Sequence, residues 1–171
     1  MAEFLNPEKI LFRLDFKDGD VIADFGSGRG EWVVFLAKKL KNSKIFAIDI
    51  LDEAISVLQK RLSQQKIENV EIKKANVEKN CLLLNESCDW VLMTNLLFEV
   101  DDISNVFNEA KRVLKKKGRI LVVDWKKDVS FGPVSPVDPE RVKKIAMEKG
   151  FKLEKEFEAG IYHFGLVFQK E

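Results

Sequence analysis

The sequence predicts an α/β fold: a seven-stranded, mostly parallel sheet with an antiparallel last strand and helices on both faces. Three observations carry this. Short apolar runs of strand length alternate with segments whose apolar residues recur at helical spacing, the pattern of βα units stacked on a parallel sheet. Glycine and proline punctuate the junctions between these segments. The last two runs, Phe151 to Glu158 and Tyr162 to Gln169, are separated by only a few residues around Gly160. That is too short for a crossover, so the final strand must reverse.

The elements follow in order. Ile10, Leu11 and Leu14 suggest one short N-terminal helix. Val21 to Phe25 is an apolar strand ending in Gly26, and Glu31 to Leu40 carries Val33, Leu36, Ala37 and Leu40 on a helical face. Lys44 to Ile50 is a second strand, followed by a helix with Ile55, Leu58 and Leu62 on one face and acids at Asp52 and Glu53, where they suit the macrodipole. Val70 to Ala75 and Asp89 to Thr94 are the third and fourth strands, the latter apolar enough for burial on both faces. Ile103, Val106, Phe107, Ala110 and Leu114 stripe a helix from about Asp101 to Lys115, with Gly118 as its exit and the Lys115–Lys117 run as its solvated end. Arg119 to Trp125 is the fifth strand. Pro133 and Pro136 then force a loop, and Asp138–Pro139 opens a helix that ends at Gly150.

At about 150 residues per domain, 171 residues make one domain. Residues 1–20 are expected to form a short N-terminal helix or lid, and 21–171 the main domain. The 29 basic and 28 acidic residues leave a net charge of +1, so no global field draws the chain to nucleic acid. No apolar run approaches the roughly 18 residues of a membrane span, and Met1–Ala2–Glu3 lacks the basic start of a signal peptide, so a cytoplasmic chain is expected. Cys81, Cys88 and the single histidine, His163, form no metal-ligand spacing; no metal site is expected.

The chemistry concentrates in Asp24–Phe25–Gly26–Ser27–Gly28–Arg29–Gly30, a glycine loop where a strand becomes a helix and backbone can approach a ligand closely. A dinucleotide fingerprint needs glycine at its sixth position, where Glu31 stands. An acid two residues before the first glycine would repel a pyrophosphate and suits a cationic ligand. Asp49, at the end of the second strand, is placed to accept hydrogen bonds from ribose hydroxyls.

These residues, with Ala47–Ile48–Asp49, Ala75–Asn76–Val77, Cys88 to Asn95 and Arg112 to Arg119, resemble the class I S-adenosylmethionine-dependent methyltransferases, of Rossmann-like fold. The look-alikes include the ubiquinone- and menaquinone-type enzymes. The resemblance implies S-adenosylmethionine as cofactor and S-adenosylhomocysteine as product. It implies that Gly26, Ser27, Gly28 and Gly30 line the methionine part, with Asp24 near its ammonium, Asp49 on the ribose and Ile50 against the adenine. Asn76, with Val77 beside it, stands where an Asp usually meets the adenine amino group, and Asn95 and Leu96 end strand four beside the sulfonium.

Methyl transfer is an in-line displacement whose leaving group is already activated, so the protein mainly positions the acceptor. Acceptor contacts are expected at the carboxyl ends of the strands, with His163 and Tyr162 as catalytic candidates and Glu99 as a further acid. Phe98 stands where many look-alikes have a His, and no Asn-Pro-Pro-Tyr-type element follows strand four, which argues against base-amino or protein-glutamine methylation. The cysteines do not supply the thiol set of the arsenite branch. The expected function is methyl transfer to a small-molecule acceptor, at carbon or oxygen, with a homodimer allowed. The alternatives are a non-catalytic S-adenosyl-ligand-binding subunit that needs a partner and a nucleotide-dependent oxidoreductase.

Overall fold

The structure, a computed structural model, describes residues 4–171; the first three residues of the expected N-terminal segment lie outside it. Strands β1 (Val21–Phe25), β2 (Lys44–Asp49), β3 (Val70–Lys74), β4 (Cys88–Thr94), β5 (Leu114–Trp125), β6 (Phe151–Gly160) and β7 (His163–Lys170) form one sheet in the order β3-β2-β1-β4-β5-β7-β6. The pairs from β3 across to β5 are parallel. β7 inserts between β5 and β6 and runs antiparallel to both. A turn of only Ile161 and Tyr162 makes that reversal.

Side-chain alternation splits the core in two. Ile22, Leu92, Leu121 and Val123 face α1 (Pro7–Phe12), α2 (Glu31–Lys39) and α3 (Asp52–Gln64), where Leu11, Leu36 and Leu58 meet them. Phe25, Met93, Val122 and Phe168 face α4 (Ile103–Val113) and α5 (Pro139–Glu148) through Phe107, Ala110, Val142 and Ala146. Asn6, Asp102 and Asp138 cap α1, α4 and α5 by accepting from Lys9, Ser104 and Glu140 backbone N–H groups. By contrast, α2 starts at Gly30, which has no side chain to cap it. Among the described residues no helix is long and apolar enough to cross a membrane.

The expected fourth helix is too long, and the fifth strand too short. α4 ends at Val113, and Leu114 already pairs with Cys88 as the first residue of β5. The lysine run is therefore strand and bulge rather than a solvated helix end: Lys115 bonds both oxygens of Asp89 at 2.9 Å. Gly118 lies inside β5, where a Cβ would come within 2.9 Å of Leu114 Cδ2 and 3.2 Å of the Asp89 carbonyl oxygen. It permits close strand approach and does not end a helix.

Candidate active site

The strand order reverses between β1 and β4, whose carboxyl ends open a crevice where ligands of open α/β sheets sit. The glycine loop fills its floor. Gly26 and Ser27 both donate to the Ile48 carbonyl, at 2.8 and 3.0 Å, which ties the loop to β2. Gly26, Gly28 and Gly30 all have positive φ. A Cβ on Gly28 would meet nothing within 4 Å, so its open side faces ligand space. On Gly30 it would strike Leu58 Cδ1 at 2.4 Å; this glycine lets α2 pack on α3. Gly30→Ala is therefore expected to cost about 2 kcal/mol of stability, from the left-handed backbone and overpacking together, as read by urea unfolding.

Asp49 holds the next corner. Its Oδ2 accepts from Gly28 N at 2.8 Å and its Oδ1 from Leu51 N at 2.9 Å, so one carboxylate orients both the glycine loop and the entry to α3. A cavity of about 560 Å³ opens above it, inside the range of small-ligand sites. Of the expected cofactor residues, Gly26, Ser27, Gly28, Asp49, Ile50, Asn76, Val77, Asn95 and Leu96 line this cavity. Asn76 Oδ1 also accepts from Glu78 N at 2.8 Å, the turn-forming role open to this residue type.

Two expected residues stand back from the wall. Gly30 faces Leu58, and Asp24 is fully buried behind the loop with neither oxygen partnered. Burial raises the Asp24 pKa well above the carboxylate range, and the charges of Asp49 and Glu31 push the same way. Ser27 Oγ and Asn95 Oδ1 are likewise buried without a partner. Such groups cost free energy until something bonds them.

The lining also holds Trp32, Thr94 and Val100, together with Glu31, Glu78, Glu99 and Asp101, which the glycine pattern does not single out. With Asp49 that makes five carboxylates among the described lining residues, and no lysine or arginine. Burial raises the Glu99 pKa, and so does Asp49. Such a cavity favours a cation and opposes a pyrophosphate.

Asp124, at the end of β5, fixes the turn beyond β4. Its Oδ2 accepts from Leu97 N at 2.9 Å and its Oδ1 from Trp125 N at 2.8 Å, while Asn95 N bonds the Val123 carbonyl. Burial raises its pKa to about 6, against the backbone hydrogen bonds that lower it. Asp124 thus holds the Leu96–Leu97 backbone, with Leu96 in the cavity lining.

His163 and Tyr162 lie outside the cavity lining. His163 is fully buried, its ring 4.2 Å from Trp125, and neither nitrogen completes a hydrogen bond. Burial lowers its pKa, the nearby Phe4 main chain partly offsets this, and Lys126 lowers it further, so the ring is held neutral.

A family profile described as a methyltransferase domain matches residues 16–160. The chain belongs to this family. The class I S-adenosylmethionine-dependent resemblance of the glycine loop is thereby borne out. A solved structure described as a SAM dependent methyltransferase from Aquifex aeolicus is 26% identical to this methyltransferase, with a TM-score of 0.90, covering 98% of this chain and 91% of that one. The ribosomal protein L11 methyltransferase of Lactobacillus johnsonii is 28% identical over 97 residues, 54% of this chain and 30% of that protein. The demethylmenaquinone methyltransferase of Bacillus velezensis is 23% identical over 126 residues, 73% of this chain and 54% of that protein. The methyltransferase thus spans well under two thirds of these curated relatives, whose named acceptors are a protein and a small molecule.

Proposed function

We propose that this chain transfers a methyl group from S-adenosylmethionine to a small-molecule acceptor, at carbon or oxygen. The observation that carries the reading is the cavity at the switch point, lined by five carboxylates and no basic side chain among the described residues. The donor set suits a ligand that brings its own positive charge. Asp49 has lone pairs left for ribose hydroxyls. Ile50 and Val77 supply apolar surface for a base, and Asn76 a polar edge. Gly26, Ser27 and Gly28 shape the cradle, Gly30 packs the end of the loop against Leu58, Asp24 backs it with negative charge when ionised, and Asn95 and Leu96 close the β4 side. The bound sulfonium supplies an activated methyl group; the protein orients the acceptor in line with it and excludes water. His163, a base weakened by burial, and Tyr162 beside it are the side chains proposed to receive an acceptor proton. Residues 1–20 act as a lid over a methyltransferase domain formed by 21–171, in a cytoplasmic chain without a nucleic-acid partner.

Calorimetry with S-adenosylmethionine, S-adenosylhomocysteine and NAD tests the cofactor. Both adenosyl ligands are expected to bind and NAD not; tight NAD binding alone overturns the reading. Transfer of labelled methyl into a metabolite pool tests turnover. Binding without transfer supports the alternative, a non-catalytic subunit needing a partner, which the position of His163 and Tyr162 outside the cavity favours.

A further inference from the structure

Phe4 sits inside a box of other rings. Its centroid is 5.5 Å from Tyr162, 5.6 Å from His163 and 5.8 Å from both Trp125 and Phe131, every contact edge-to-face. Yet the residue is 48% exposed, and it precedes the Asn6 cap of α1, outside any helix or strand. Two walls of the box belong to the sheet. Trp125 ends β5 and His163 begins β7, paired in register across the sheet. Tyr162 is in the two-residue turn. The loop carrying Phe131 lies flat on the indole at Gly132, where a Cβ would meet Trp125 Cε3 at 2.7 Å.

The floor of the box is the unsatisfied group. His163 is fully buried with both nitrogens unpartnered, with the Phe4 main chain and Lys126 nearby. A ligand that brought a hydroxyl would relieve that penalty. The box also lies on the right side of the sheet. Thr94, on the cavity wall, pairs with Val123, and Val123 with Gly165. Trp125 and His163 are each two residues from those positions, so they share the face of Thr94. They stand one and two strands over and two residues further along, about 8 and 12 Å away.

We propose that this box is the acceptor subsite, that it takes a planar aromatic ring bearing a hydroxyl, and that Phe4 is a displaceable plug occupying it in the unliganded chain. The proposal rests on the methyltransferase reading for the word acceptor, but its binding test does not. An aromatic guest reproduces the edge-to-face pairs that Phe4 now makes, which an aliphatic ring of the same size cannot. Its hydroxyl meets the His163 imidazole.

Phenol and cyclohexanol are the probes, titrated into the full chain while the imidazole resonances are followed by NMR. One histidine in the sequence makes the assignment unambiguous. Phenol is expected to shift the His163 signals saturably and cyclohexanol to leave them unmoved. Phe4→Ala is expected to tighten phenol binding about tenfold, since the competing internal ring is gone, and Phe4→Leu to tighten it less. Weaker or unchanged phenol binding in both variants makes Phe4 a wall instead of a plug and overturns the proposal. So does a phenol site that leaves His163 unshifted. Failure of S-adenosylmethionine to bind in calorimetry would count against the methyltransferase reading alone; failure of phenol with the cofactor bound normally removes only the subsite.

Discussion

Asp49→Ala is expected to lower S-adenosylmethionine affinity about a hundredfold, through loss of charge-assisted hydrogen bonds to the ribose hydroxyls. The size follows from what the carboxylate does in the free chain. Each oxygen already accepts one backbone N–H, from Gly28 and from Leu51, so the residue arrives at the ligand with its orientation fixed. Alanine removes the ribose partner and also frees the glycine loop from the start of α3. Asp49→Asn separates the two effects: it retains one acceptor oxygen but turns an amide N–H₂ toward a backbone donor, so it is expected to lose affinity as well. Isothermal calorimetry on both variants reads the effect, and an unchanged affinity for Asp49→Ala would remove the ribose assignment. Asp49 also contributes to the raised pKa values of Asp24 and Glu99, so the alanine variant should ease the ionisation of both.

Most of the fold was legible because it is local. The strand runs, helix stripes, Asp138 cap and short final connection each declare themselves within about ten residues, the scale on which period and turn chemistry act. The start of β5 was not, because three lysines after an apolar stripe look like a helix end. What makes Leu114 a strand residue is its pairing with Cys88 and the Lys115 contact to Asp89, both 26 positions away. The site divides the same way. Glycine spacing pointed to the loop and Asp49 to the corner beside it, both of which line the cavity, but spacing could not say that Gly30 packs against Leu58. The role of Asp124 in holding Leu97 exists only because β5 lies beside β4. The ring box is non-local in the extreme, joining Phe4 to residues more than a hundred positions away.

Asp24 and Asp124 together set an unusual dependence of stability on pH. Both carboxyls have folded pKa values above the ordinary 3.8, Asp24 by a wide margin and Asp124 at about 6, with burial the largest cause in each. The folded chain therefore keeps these protons at pH values where the unfolded chain has lost them. Their contribution is greatest below about pH 4 and is lost as pH rises through the folded values. Glu109 works in the opposite sense at the acid end. Despite burial, its hydrogen bonds to Arg112 and the Cys81 backbone lower its pKa, so stability falls again as it is protonated. Thermal unfolding of the free chain from about pH 5 to about pH 9 should show the melting temperature declining, while Asp24→Asn, which cannot ionise, declines less and ends about 1–3 kcal/mol more stable. The cofactor should reverse that order. A cation seated near Asp24 stabilises its ionised form, so the melting-temperature gain on adding S-adenosylmethionine is expected to grow with pH in the wild type and stay level in Asp24→Asn. A gain that is independent of pH in both proteins would mean that Asp24 does not face the charge of the ligand, and would leave its burial as a purely internal cost of the fold.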